Sequence, residues 1–349
     1  MQKKKFGIVS IIAIIFLIII LLLTKTDLLK GTGLFIDGSG NERIESILSA
    51  VRNGQKLIIT DRQEDDNLDY TINRIFDDPY IFWVDLQYNA MSIGDVSVIW
   101  VHSKYNNVKQ KEYEIEQTAK KIISKLIDEE MTEYDKVEAV HNWICDNITY
   151  AQSMDDSDQD VYGALVLREA RCAGYAKAFT YLLDLINIKS EVISGESIDD
   201  NGNFVDHAWN VVYIEDEPYY FDITWNDKDN NECYYDWFGV TKQEFNLSHF
   251  PNKGYDWVDA KDIQFCYYIK NKMYMDRFTL ASLISQISKQ GKNVSIKCAD
   301  RKIMEEIIES LNSKEDVQYI MQALGINHVE QILYTENTKT KCLHIEFVY

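Results

Sequence analysis

Apolar and polar positions change their spacing several times along this 349-residue chain. Residues 6–23 have no polar period at all: eighteen positions carry no charge, behind Lys3, Lys4 and Lys5. At about 1.5 Å per residue this run nearly spans the roughly 30 Å of a hydrocarbon core, and the lysines favour the cytoplasmic side. It outruns the roughly 7–15 apolar residues of a cleaved signal peptide and meets no A-x-A-like site. Residues 6–24 are therefore expected to form a transmembrane signal anchor, with 1–5 as a cytoplasmic tail and the body extracellular. Residues 25–110 read as an α/β accessory unit, with helices over 42–53 and 66–76 and strands over 56–60, 81–85 and 96–102.

A helical stripe of Ile115, Ala119, Ile122, Ile123 and Leu126 follows. Thr132 is placed to cap a second helix over 133–145. Further on, 187–195 reads as a strand. The aromatic and β-branched runs 204–214 and 219–225 join at Glu215-Asp216-Glu217-Pro218 as a hairpin. Residues 234–238 are expected to close that sheet. Residues 259–349 look like a separate α/β unit. Its strands are expected over 264–270, 294–298, 331–335 and 341–348, and its helices over 280–289, 301–311 and 316–324. The fold class is α+β, a core over 111–258 between two α/β flanking units.

Charge and cysteine usage narrow the partners. Fifty-six acidic residues face 36 basic ones, a formal net charge of −20. A phosphate backbone needs a cationic surface, so nucleic acid is not an expected partner. Six cysteines are widely scattered, with neither a CxxC pair nor a His-x-x-x-His. Neither a structural zinc site nor a disulfide framework is expected, and Cys145 and Cys266 read as packing residues. The aspartate-rich stretch 151–160 lacks the Gly and terminal Glu of an EF-hand loop and reads as a solvated loop. No metal or cofactor is expected, and His102, His141 and His249 receive no chemical role.

Candidate chemistry centres on residues 171–185. Ala173, Ala176 and Ala178 favour helix, and Phe179, Leu182, Leu183 and Leu185 recur at helical spacing, with Cys172 in the first turn. A thiol there sits among unpaired N–H groups at the positive end of the helix dipole, which favours thiolate. Taken alone, Cys172 would be a buried structural cysteine. The hairpin changes that reading. With Glu215-Asp216 as its loop, His207 lies opposite Thr224 and Asp222 is its diagonal neighbour, roughly 7–8 Å away at the backbone. Cys172, His207 and Asp222 then supply nucleophile, base and orienting carboxylate.

Cys172-Ala173-Gly174-Tyr175-Ala176, Asp206-His207-Ala208-Trp209-Asn210 and Phe221-Asp222-Ile223-Thr224-Trp225 together resemble the transglutaminase-like superfamily. This is the branch of the papain-like fold found in many bacterial surface proteins. The amphipathic helix from Tyr134, the Ile148-Thr149-Tyr150 strand after it and the short connecting helix Val161-Tyr162-Gly163-Ala164-Leu165 are similar to what precedes the nucleophile in that family. Glu169-Ala170-Arg171 departs from the family's smaller approach and puts a cation beside the thiol.

The resemblance implies a Cys172–His207–Asp222 triad acting through a thioester on peptide or side-chain amides of a protein or peptide substrate, cell-wall proteins included. The acyl acceptor is water in a cysteine protease or amidase and an amine in a transglutaminase; hydrolysis is favoured slightly. For the oxyanion, the Cys172 N–H and a side-chain donor, Tyr150 or Tyr162, are candidates. A non-catalytic binding module using the same cleft is the alternative.

Overall fold

The computed structural model describes residues 35–36, 40–61, 68–152, 155, 157–228 and 232–349. The expected tail (1–5) and anchor (6–24) lie outside them. Among the described residues no helix is long and apolar enough to cross a membrane. The chain forms two compact units, one ending at Glu112 and the other running from Tyr113 to Tyr349.

The first unit holds a four-stranded sheet. In chain order its elements are β1 (Phe35–Ile36), α1 (Gly40–Arg52), β2 (Leu57–Asp61), α2 (Leu68–Asp77), β3 (Val84–Ile93) and β4 (Val96–Ser103), with sheet order β1-β2-β4-β3. Helix α1 buries Ile44, Ile47, Leu48 and Val51, and α2 buries Ile72 and Ile75, the three- and four-residue spacing of one helical face. His102 stacks on Trp100 and meets Asn89.

Helix α3 (Val108–Leu126) runs through the boundary, followed by α4 (Glu133–Asn147). Thr132 and Asp135 form a capping box that fixes where α4 starts. Next come β5 (Thr149–Tyr150), a π-helical turn (Gly163–Leu167), β6 (Glu169–Ala170) and α5 (Cys172–Asp184). Strands β7 (Ser190–Ile198), β8 (Phe204–Ile214) and β9 (Glu217–Phe221) belong to the central sheet. After them come α6 (Ile223–Asn226), β10 (Asp227–Lys228), β11 (Glu232–Cys233), β12 (Phe238–Val240), α7 (Lys242–Phe245) and β13 (His249–Pro251). The sheet is antiparallel, ordered β12-β9-β8-β7-β13. Ala176 of α5 packs on Val192 and Ala208, small residues that let the helix lie close to the sheet.

The remaining elements are α8 (Tyr267–Lys270), β14 (Tyr274–Met275), α9 (Leu280–Gln290), β15 (Asn293–Cys298), α10 (Arg301–Asn312), α11 (Lys314–Leu324), β16 (Gln331–Asn337) and β17 (Cys342–Val348). They make a sheet ordered β14-β15-β17-β16 over a core of Leu283, Ile287, Ile296, Met304, Ile307 and Leu343. Buried polar contacts tie this sheet to the region before it. Burial opposes the charge on Asp236, but His344 Nε2 at 2.9 Å, the Tyr268 hydroxyl at 2.8 Å and Asn337 Nδ2 at 3.0 Å hold its carboxyl down to about 2. Glu244 takes Lys297 at 3.1 Å and Lys341 at 2.6 Å.

Four expectations need correction. The hairpin turns at Glu215 and Asp216, both at positive φ, and has the predicted register, but the strand stops at Phe221. Asp222 then caps α6 by accepting the Trp225 N–H, a local bond that competes with strand pairing. The expected strand over 264–270 ends instead in helix α8, with buried Cys266 at its N-cap position. The described part of the acidic stretch is solvated only in part: Gln152 and Asp155 are exposed, but Ser157, Asp158 and Asp160 are buried. There Asp160 accepts from the N–H groups of Tyr162 and Gly163, and Asp158 from that of Asp155. Finally, Cys145 and Cys233 form a disulfide across 88 residues of chain, joining α4 to β11. Both sulfurs lie beside His141, so only the fold brings them together.

Closing a loop of 88 residues constrains the unfolded chain, and loss of such a bond costs on the order of 2–5 kcal/mol. Cys233→Ser is therefore expected to lower the urea midpoint, and reductant should lower the wild-type midpoint equally while leaving the variant's unchanged.

Candidate active site

The three residues expected to act together do meet. Cys172 opens α5, and the N-cap position is Arg171 in an extended conformation without a side-chain cap. The helix start is held from outside. Strands β5 and β6 pair in parallel with Tyr150 opposite Ala170, and the Arg171 N–H donates to the Asp158 carbonyl at 2.7 Å. Gly174 is required by this crowding, because a Cβ there would lie 2.7 Å from both Ala170 Cβ and the Asp158 carbonyl oxygen. The buried Lys177 ammonium donates to the Gln159 carbonyl at 2.8 Å from the same helix. With the Gln159 amide oxygen turned towards it, the Arg171 guanidinium donates to that oxygen twice, at 2.9 and 3.0 Å.

His207 lies on β8, which is locked to α5 by Asn210. The Asn210 amide donates to the Ala176 carbonyl at 2.9 Å and to the Thr180 hydroxyl at 3.0 Å. Three residues before that clasp, His207 Nε2 meets Asp222 Oδ2 at 2.7 Å. Nδ1 is left for the thiol. Asp222 is fully buried, which by itself would disfavour its charge. The His207 imidazole and its hydrogen bonds overcome that and hold the carboxyl well below the usual range. Burial likewise opposes a cation at His207, but Asp222 and Cys172 raise its pKa to about 10. For Cys172, burial disfavours the thiolate while the hydrogen bond and charge of His207 favour it, and the net shift is downward. The arrangement is that of a thiolate–imidazolium pair with a buried orienting carboxylate.

The two oxyanion candidates separate. Tyr162 donates to Glu114 Oε2 at 3.0 Å, and its electrostatic neighbours are Glu114 and Asp160. Tyr150, exposed on β5, has its hydroxyl pKa raised by burial and then by Cys172, so the thiol is among its electrostatic neighbours. Trp225 stacks on the His207 ring at 5.1 Å and screens it.

One residue of the site was missed. His249, on β13, places its Nε2 3.1 Å from the Asp222 oxygen that also takes His207. Its strand pairing with β7, His249 opposite Ser197, carries no short-range signature. His207, Asp222 and His249 bring ligand atoms within 4.8 Å of one another, as do His141, Cys145 and Cys233. In the first set both imidazoles already hydrogen-bond the carboxylate, and in the second the sulfurs are closed in the disulfide, so Cys145 has no thiol to offer. His141 itself is buried and kept neutral, its pKa lowered to about 4 by burial, between Asn142 and Asn226.

Residues 120–225 match the sequence profile of the transglutaminase-like superfamily, a span that ends just beyond Asp222 and contains Cys172 and His207. They form a transglutaminase-like domain. Relatives agree: human kyphoscoliosis peptidase is 31% identical over 116 residues, 30% of this chain and 17% of that protein. The mouse protein of the same name is 26% identical over 173 residues, 44% of this chain and 26% of that protein. The chain thus spans about a quarter or less of the length of the curated relatives it matches. Among solved structures, one described as a TGase has 12% identity and a TM-score of 0.28, over 57% of this chain and 61% of that one. The periplasmic domain of TgpA from Pseudomonas aeruginosa has 14% identity and a TM-score of 0.24, over 37% and 55%. The transglutaminase-like domain here carries Cys, His and Asp in chain order, each delivered by a different element.

Lowered Cys172 and raised His207 values define a window for the ion pair: it forms as pH rises through the thiol's depressed pKa and is lost as His207 deprotonates near pH 10. Iodoacetamide is expected to alkylate Cys172 with a midpoint below the ordinary thiol value of about 8.5. In His207→Ala the compensating cation is gone and burial remains, so the midpoint should rise to that value or above. Mass-resolved alkylation rates between about pH 5 and 10 check this.

Proposed function

We propose that this chain is a thiol enzyme of acyl transfer that cleaves amide bonds of protein or peptide substrates. The observation that carries the reading is the juxtaposition of the Cys172 thiol at a helix start with His207, itself 2.7 Å from a fully buried Asp222. The Cys172 thiolate attacks the amide carbonyl and forms a C–S bond. The oxyanion of the tetrahedral intermediate lies towards the Cys172 backbone N–H and the Tyr150 hydroxyl. His207 gives its proton to the departing amine, the C–N bond breaks, and the thioester remains. Neutral His207 then takes a proton from water as the water attacks the thioester, and the acid leaves with Cys172 restored. A primary amine in place of water would give transfer instead. Hydrolysis is the favoured outcome, because Cys172 is only partly covered and water is abundant.

The body of the protein acts outside the cytoplasm, held to the membrane by residues 6–24. The cationic start followed by an uncharged eighteen-residue run supports this. So does the Cys145–Cys233 disulfide, a bond that persists in oxidising compartments. The acidic net charge fits a protein substrate and not a nucleic acid.

The test is mass spectrometry of the full chain with a peptide amide in water, with and without a primary amine. Wild type should show an acyl adduct on Cys172 and release mainly acid; Cys172→Ala should do neither. Asp222→Asn should lower kcat by about 10⁴, since a neutral amide stabilises the imidazolium far less than a carboxylate and can hold the ring in the wrong tautomer. Loss of one oxyanion donor in Tyr150→Phe should cost about 10²–10³. No adduct and unreacted peptide with wild type would overturn the reading.

A further inference from the structure

Asp222 is served by two imidazoles, and the mechanism above uses only one. His249 is completely buried, its Nε2 3.1 Å from the same Oδ2 that receives His207. Its position is over-determined. Strand β13 pairs His249 with Ser197 of β7. Its ring stacks on Phe245 at 3.7 Å and meets Trp209, Trp225 and Trp237 at 4.7–5.1 Å. We infer that His249 is a positioning residue for this reaction: its Nε2–H fixes the Asp222 carboxylate in line with His207, and the Ser248 hydroxyl fixes the His249 tautomer that makes this possible. The inference rests on the thiol-enzyme reading above.

The tautomer follows from proton counting. Burial keeps His249 neutral, its pKa lowered to about 4, so the ring carries a single N–H. A carboxylate faces Nε2 and can only accept, which places that hydrogen on Nε2. Nδ1 is then bare and needs a donor. Ser248 is completely buried, and its Oγ lies 3.1 Å from Nδ1. The Phe245 carbonyl at 3.3 Å is an acceptor and would draw the hydrogen to the wrong nitrogen if the serine hydroxyl were absent. The charged and titratable groups acting on His249 are Asp222 and His207, and the other rings packed on it are uncharged.

A buried carboxylate with fewer donors is costlier to keep charged and free to turn. Asp222 has donors in His207, His249 and the Trp225 N–H. Without the second, Oδ2 is no longer pinned opposite His207 Nε2. The imidazolium loses part of its stabilisation, and the thiolate paired with it becomes harder to form.

The experiment measures the pH profile of Cys172 alkylation by iodoacetamide in the full chain, with peptide-amide turnover alongside. His249→Leu removes the donor and should raise the alkylation midpoint by about one pH unit, the usual scale of such shifts, while lowering kcat more than it changes KM. His249→Gln places an amide N–H near the Nε2 position and should restore the wild-type midpoint. Ser248→Ala, a small deletion that leaves the ring in place, should shift the midpoint in the same direction as His249→Leu. A midpoint unchanged or lowered in both His249→Leu and Ser248→Ala overturns the positioning role. His207→Ala is the control on the underlying reading. If it too leaves the profile unmoved, the thiol–imidazole pair itself is refuted; if only it shifts the profile, the pair stands and the role of His249 falls.

Discussion

A fully buried carboxylate is the constraint around which the second unit is arranged. Moving a carboxylate out of water costs several kcal/mol unless donors replace the lost hydration. Asp222 receives His207, His249 and the Trp225 backbone N–H. Each comes from a different segment: the middle of the sheet, its far edge strand, and the turn that Asp222 itself caps. The sheet must therefore close with β13 beside β7 and the strand after the hairpin must end at Phe221, or the charge would be stranded. The same charge raises His207, and the raised His207 in turn favours thiolate at Cys172. Stability and candidate chemistry share one group.

Bringing the sulfur to that group depends on two close approaches. Asn210 clasps the carbonyl of Ala176 and the hydroxyl of Thr180, which fixes the helix that starts at Cys172 against the strand that carries His207. Gly174 lets the segment around Ala170 and Asp158 press on the first turn of that helix. Substitution there would push the helix start away from β6 and move the thiol. The aspartates of the preceding stretch are part of the same support: Asp160 accepts the buried Gly163 N–H and the Tyr162 N–H, and Asp158 accepts the Asp155 N–H. Asn226 donates to His141 and accepts from the Trp237 N–H, which holds the C-terminal end of the short helix whose start Asp222 caps.

Local patterns in the sequence determined the helices with apolar stripes and capping residues, such as α4 behind Thr132, and the alternating strands β8 and β9 with their Glu215-Asp216 turn. They also determined that Cys172, His207 and Asp222 belong to one site, because residue type, order and the hairpin register are properties of short windows. Where a competing bond was available, local reading failed. Asp222 caps a helix instead of continuing a strand, and Asp158 and Asp160 of the acidic stretch turn onto backbone N–H groups instead of facing water. Only the tertiary structure decided what depends on distant segments. Tyr150 was separated from Tyr162 by Glu114, 48 residues away, which takes the Tyr162 hydroxyl. Cys145 was joined to Cys233 across 88 residues. His249 was placed on the Asp222 carboxylate 27 residues before it by the pairing of an edge strand. Hydrogen bonds and burial act through space, and periodicity along a chain reports only the partners a few residues away.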